Sequence, residues 1–183
     1  VMNKGLMLTF YRLKDYANAA KYAGKVLANE QLSNGDKEEA YMIEANSNFE
    51  LGNLSQAQTL YSKVVSISTD IDKAEAGYKL CEIHYLQGEY KQTEAEVFSY
   101  LKQKPSYGYW LGKAYILLGD VYVKLDDNFQ AKATLQSIIN NYNGDQALID
   151  EANAKYAELV ALELEDSKID LQDDINDELE FDE

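Results

Sequence analysis

A short pattern recurs four times along this chain, and that recurrence limits the fold more than any other feature. Leu13-Lys14-Asp15-Tyr16-Ala17-Asn18-Ala19 is followed by Leu51-Gly52-Asn53-Leu54-Ser55-Gln56-Ala57. Gln87-Gly88-Glu89-Tyr90-Lys91-Gln92-Thr93 and Leu125-Asp126-Asp127-Asn128-Phe129-Gln130-Ala131 complete the set. Each has an apolar helix end, a tight polar turn and a second helix with a small residue in its first turns. The starts at 13, 51, 87 and 125 are 38, 36 and 38 residues apart. A unit of that length holds one helical hairpin, whose apolar face only a neighbouring hairpin can bury.

Composition agrees with helix. The only proline in 183 residues is Pro105, so almost nothing interrupts a helical backbone. Asn34-Gly35-Asp36 and Asn143-Gly144-Asp145 are turn signals between hairpins. Asp36 with Glu39, and Asp72 with Glu75, have capping-box spacing and are expected to start helices, as is Pro105-Ser106. The hairpins are expected at about 2–31, 37–68, 72–104 and 107–142. A further helix at 146–165 has Ala147, Leu148, Ala152, Tyr156, Leu159, Val160 and Leu164 on one face, as a cap over the last hairpin requires. Val1 already stands inside a helical pattern, so the chain reads as a fragment of a longer protein.

The residues Tyr115, Leu118, Gly119 and Tyr122, followed by Ala131, resemble the tetratricopeptide repeat (TPR) family pattern aromatic-x2-Leu-Gly-x2-Tyr…Ala. The small position of the first helix is Met7, Ala45, Cys81 and Gly119 in the four repeats; that of the second is Ala19, Ala57, Thr93 and Ala131. The resemblance covers about residues 1–145. It implies an all-α fold, a right-handed superhelix of stacked antiparallel helical hairpins. The expected organisation is a TPR-like solenoid over 1–165, with hairpins at about 1–35, 36–70, 71–105 and 106–145 and a capping helix at 146–165. An acidic tail follows at 166–183. The stretch from Ala133 to Tyr142, with Gly144, Asp145 and Ala152, also looks like repeats of bacterial cell-envelope TPR proteins, which leans towards a periplasmic or envelope location.

Charge narrows the partners. The formal charge is −15, and Glu165 to Glu183 alone contribute −9 (ten acids, one lysine), leaving −6 (−15 minus −9) on the other 164 residues. Such a chain repels nucleic acid and anionic lipid. No apolar run reaches the roughly 20 residues that span a bilayer. A protein or peptide carrying basic residues is the partner the charge fits. The tail's acids argue for a solvated segment, while Leu171, Ile175 and Leu179 at four-residue spacing argue for an amphipathic docking helix. The oligomeric state is left open.

The candidate site is the face that, by the TPR resemblance, the first helix of each hairpin turns towards a ligand. It comprises Met42, Asn46 and Phe49 from the second repeat. The third adds Tyr78, Glu82 and Tyr85, with Glu75 beside them, and the fourth adds Lys113, Ile116 and Asp120. Aromatics beside acids suit a protein segment with apolar anchors and a basic residue. Several could instead pack on the neighbouring repeat, which would make the chain a spacer or assembly subunit with no ligand there. Lys4 and Asn46 match part of the carboxylate clamp known in some TPR domains, but Leu8 stands at its first asparagine, so chaperone-tail binding is not expected.

Enzyme chemistry has little support. There is no Gly-rich phosphate loop and no G-x-S-x-G turn. Cys81 and His84, the only cysteine and histidine, share one helix face. Two ligands do not make a metal site, so carboxylates would have to complete it. Packing is the expected role of both, with no cofactor and no catalytic residue.

Overall fold

The computed structural model describes residues 2–29, 31–104 and 107–180, with side chains up to Glu165. Every regular element among them is an α-helix: α1 (Met2–Arg12), α2 (Tyr16–Leu27), α3 (Asn34–Glu50), α4 (Leu54–Ile67), α5 (Ile71–Leu86), α6 (Tyr90–Lys102), α7 (Gly108–Lys124), α8 (Asn128–Asn141) and α9 (Gln146–Glu180). The chain divides into two compact units, Val1–Ala114 and Tyr115–Glu183.

The hairpin turns carry the repeat in their backbone. Lys14, Gly52, Gly88 and Asp126 all have positive φ, at 58°, 76°, 79° and 61°. These four residues occupy the same place in their repeats. In each turn the next residue donates its N–H to the carbonyl five residues back: Asp15 to Phe10, Asn53 to Asn48, Glu89 to His84 and Asp127 to Tyr122. The positive-φ residue itself bonds three residues back. This pair of bonds satisfies carbonyls that the ending helix leaves without partners.

The following helix then needs a cap for its own free N–H groups. Asp15 and Asp127 supply one to α2 and α8, accepting from Asn18 and Gln130. The expected starts at Asp36 and Asp72 are displaced. Ser33 caps α3 by accepting from the Asp36 N–H, and Asp70 caps α5 by accepting from the Asp72 N–H. In both cases an oxygen two or three residues upstream takes the role, which moves the helix start earlier. The expected start at Pro105-Ser106 lies outside the described residues.

In the first unit, α1/α2, α3/α4 and α5/α6 are hairpins. α2 packs on α3, α4 packs on α5, and α3 also touches α1 and α5. Met7, Ala19, Ala23, Val26, Ala40 and Ile43 form one core cluster. Met42, Ala45, Ala57, Leu60, Tyr61, Val64, Ala76 and Ile83 form the next. Each large side chain buried this way contributes about 1.5–3 kcal/mol. Ala45, Ala19, Ala57 and Thr93, four of the small positions, are fully enclosed.

In the second unit α8 packs along α9. Gly119 lies against Leu135, so close that a Cβ on the glycine would stand 3.1 Å from Leu135 Cγ and Cδ2. Leu148, Ala152 and Leu159 are the buried stripe of α9, whereas Ala147 and Leu164 are exposed. α9 continues to Glu180, past the expected end at 165. No proline or glycine interrupts 166–180, and Leu171, Ile175 and Leu179 keep helical spacing, so nothing in the backbone ends the helix.

Candidate functional site

α1, α3 and α5 bring their residues together on one face of the first unit. A polar cluster lies across it. Tyr61 Oη donates to Asn46 Oδ1 at 2.6 Å, and Asn46 Nδ2 donates to Tyr11 Oη at 3.0 Å and to Glu75 Oε1 at 3.4 Å. Burial pushes the Glu75 carboxyl up from its ordinary range, opposed by the Asn46 bond, while the negative charge of Asp72 adds to the rise. Burial likewise raises the Tyr11 and Tyr61 hydroxyls, so both stay neutral, Tyr61 donating to Asn46 and Tyr11 accepting from it.

An aromatic and ionic cluster adjoins it. The Lys79 ammonium sits over the Phe49 ring, 4.1 Å from its centre, and bonds Glu82 Oε2 at 2.7 Å. Tyr78 Oη donates to Glu82 Oε1 at 3.3 Å. The Phe49 ring meets Tyr61 edge-on at 6.4 Å, and Tyr78 lies 5.5 Å from Trp110. Tyr85 packs against Tyr90 at 5.5 Å.

The nine predicted residues therefore fall into different settings. Asn46, Phe49, Glu82 and Tyr85 are half-buried on this face. Met42, Tyr78 and Ile116 are only 7 %, 3 % and 2 % exposed, so they serve packing and offer a partner no surface. Lys113 is half-buried, and Asp120, in the second unit, takes the Lys155 ammonium at 2.7 Å. Sequence reasoning placed Lys79 beside Glu82 but not over Phe49, and it passed over Tyr61 and Trp110. Their signals were present: Lys79 lies one turn before Glu82, and Tyr109-Trp110 is an aromatic pair just before the fourth repeat's first helix.

Residues 108–142 match the tetratricopeptide repeat family. These residues are the hairpin α7/α8, the repeat whose sequence resembled the family most clearly. Among solved structures, MamA from Desulfovibrio magneticus RS-1 is 15 % identical, with a TM-score of 0.62 over 90 % of this chain and 94 % of that one. Another MamA crystal structure is 19 % identical, with a TM-score of 0.61 over 91 % and 93 %. The TPR domain of P58(IPK) is 14 % identical, with a TM-score of 0.53 over 86 % of this chain and 45 % of that one. The family match covers the one hairpin α7/α8, and the likeness to the solved structures shows a shared helical-repeat fold over most of the chain. No curated protein sequence matches it.

The fold of the described residues is an all-α helical repeat. Lys4, which matches part of the family's carboxylate clamp, is held at 2.5 Å by Asp36 and 2.6 Å by Glu39. Those two carboxylates occupy the ammonium that a ligand carboxylate would need. No helix among the described residues is long and apolar enough to cross a membrane.

The first unit has a cleft away from the predicted residues. Gln58, Ser62 and Val65 of α4, Gly77, Leu80, Cys81 and His84 of α5, and Glu96, Ser99 and Tyr100 of α6 line a cleft of about 650 Å³. Cys81 and His84 are both buried, as packing required, but both border this cleft. Burial pushes the Cys81 thiol up to about 12, with the Glu96 charge adding to the effect, so it is a protonated thiol at neutral pH. Glu38, Asp70 and Asp72 also bring carboxylate oxygens within 4.8 Å of one another, and burial together with the neighbouring acids raises the Asp72 carboxyl.

Proposed function

We propose that the face carried by α1, α3 and α5 binds a protein segment, with Glu75 receiving a basic residue and Phe49 and Tyr85 providing apolar contact. The Glu75 carboxylate carries this reading. It is partly desolvated, its bonded partner is the neutral amide of Asn46, and no cation within ion-pair distance of it is described. Lys79, whose charge reaches Glu75, is bound to Glu82. A carboxylate kept without a cation in a partly buried site costs stability. A partner's lysine or arginine returns that cost as binding energy.

Glu82 sets the position of Lys79 over Phe49 and so shapes the apolar floor. The net charge of −15 favours approach of a basic segment, and salt screens that attraction. The burial of Met42 and Tyr78 favours a second reading, a spacer whose first helices mainly pack on one another.

Photo-crosslinking separates the two. A benzophenone amino acid placed at Phe49 should capture a partner that the same group at Phe98, an exposed residue of α6, does not. The partner's affinity should then fall at least ~10-fold with Phe49→Ala, an anchor-sized loss of about 1.4 kcal/mol or more. Glu75→Gln should weaken it and flatten its salt dependence. Equal capture at both positions, or affinity untouched by both substitutions, leaves the spacer reading standing.

A further inference from the structure

Aligning the repeats isolates one cluster that only the third repeat contains. His84 stands where the other repeats have Phe10, Asn48 and Tyr122. Glu96 stands where they have Tyr22, Leu60 and Thr134. In the first repeat these two positions form a plain apolar contact, Phe10 stacked on Tyr22 at 5.4 Å. In the second, Leu60 is buried in the core. The third repeat replaces that contact with an imidazole and a carboxylate at the edge of the 650 Å³ cleft.

A third position takes part. Glu89 is the equivalent of Asp15 and Asp127, which cap their helices. It makes no cap bond to α6. Its Oε2 instead lies 2.5 Å from His84 Nδ1. Asn53, its equivalent in the second repeat, makes no cap bond either, but only in the third repeat does this side chain hold a histidine.

The orientation that results is specific. An ionised carboxylate only accepts, so His84 Nδ1 carries the proton it gives to Glu89. Nε2 then points towards Glu96, whose Oε1 is 3.3 Å away, while the Gln58 side-chain nitrogen donates to Nε2 at 2.9 Å. An imidazole lone pair and a carboxylate oxygen, both acceptors, converge on one point at the cleft. The Gln58 N–H already meets the Nε2 lone pair, so a cation reaches both atoms by displacing that amide hydrogen.

We propose that His84 Nε2 and Glu96 bind a divalent transition-metal ion of the zinc type, with Glu89 holding the imidazole from behind. Metal–nitrogen and metal–oxygen bonds of about 2.0–2.2 Å at a tetrahedral angle separate the two ligand atoms by roughly 3.3–3.5 Å. The observed 3.3 Å needs no rearrangement of either side chain. Half a turn of the Gln58 amide presents its carbonyl as a third ligand, and the cleft leaves room for water as the fourth. Imidazole with carboxylate is a donor set for zinc, nickel or copper rather than calcium. A carboxylate on the far ring nitrogen is the usual support for a metal-bound histidine. Because Gln58 belongs to α4 and His84 and Glu96 to α5 and α6, the ion ties the second repeat to the third. The site lies apart from the α1/α3/α5 face and does not depend on its function.

The full chain, free of any affinity tag, is titrated with Zn²⁺ by calorimetry and assayed for metal after dialysis. About one equivalent should bind. His84→Asn and Glu96→Leu install the second repeat's own residues, so the hairpin has a precedent for both. Each should abolish saturable binding, and Glu89→Asn should weaken it roughly 10–100-fold. His84 is the only histidine, so its ring nitrogens are assigned without ambiguity by NMR. Zn²⁺ should move the Nε2 resonance and leave Nδ1 nearly in place, and this readout stands even if a variant fails to fold. The proposal is overturned by no saturable binding, by an unmoved Nε2 signal, or by binding that survives His84→Asn. That last result would place the ion elsewhere, such as the Glu38, Asp70 and Asp72 carboxylates.

Discussion

The four hairpin turns make a quantitative prediction because they share one backbone geometry with two kinds of residue. Gly52 and Gly88 occupy the left-handed position in α3/α4 and α5/α6, while Lys14 and Asp126 occupy it in α1/α2 and α7/α8. An L-residue pays roughly 1–2 kcal/mol there. Lys14→Gly removes that strain but gives the unfolded chain extra freedom, worth about 0.4–1 kcal/mol. Lys14 is exposed, and its N–H bond to the Tyr11 carbonyl survives in glycine. The net gain is roughly 0.5–1 kcal/mol, or a rise in Tm of about 1–4 °C for a chain of this size. Asp126→Gly should gain less, because aspartate tolerates the left-handed region better than lysine. Gly52→Ala and Gly88→Ala should each lose about 1 kcal/mol. A Cβ at either glycine meets nothing within 4 Å, so the loss is one of backbone conformation alone. Thermal and urea unfolding followed by circular dichroism measures all four. If Lys14→Gly instead destabilises by about 1 kcal/mol, as a glycine inside a helix would, the turn is misplaced and the repeat register fails with it.

Gly119→Leu should destabilise by roughly 1–3 kcal/mol, since its Cβ alone would stand 3.1 Å from Leu135; an unchanged urea midpoint would contradict that close approach. Glu44→Gln should stabilise at neutral pH. Burial raises the Glu44 carboxyl above its ordinary value of 4.5, so the folded state binds a proton more tightly than the unfolded one and loses stability as pH rises through that window. The advantage of glutamine should therefore be full above the raised pKa and fade below the ordinary one; an advantage that persists in acid would refute the burial argument.

The repeat was legible because the same physical demand recurs in every hairpin. Small residues must sit where helices touch, and Ala45, Cys81 and Gly119 marked those points without any structure. The turns were legible at Gly52 and Gly88, whose chemistry announces a left-handed backbone, and marked at Lys14 only by its place in the repeat. Helix ends were less legible. Ser33 and Asp70 cap from positions that the capping-box spacing passed over, and a change in charge at 165 did not end α9, because charge alone does not break a helix. The candidate face was legible as a set of helices but not residue by residue. Met42 and Asn46 are one turn apart on α3, yet Met42 is buried in the core while Asn46 is half-buried among Tyr11, Tyr61 and Glu75.

This division has a physical basis that bears on how function is sought in such chains. Positions shared by all repeats answer to packing, so their agreement reveals the fold and says little else. A position where one repeat departs has left the common packing solution, and the departure must be tolerated or used. The departures at His84 and Glu96 are coupled in space, and the same imidazole also meets the Glu89 carboxylate. Independent neutral drift would have to place an ionisable group at both positions and also bring the two within bonding distance of each other and of Glu89. Glu75 differs in kind, for only its unmatched charge distinguishes it. The cleft cluster therefore stands on a comparison internal to the chain, whereas the α1/α3/α5 face stands on electrostatics, and each can fail without the other.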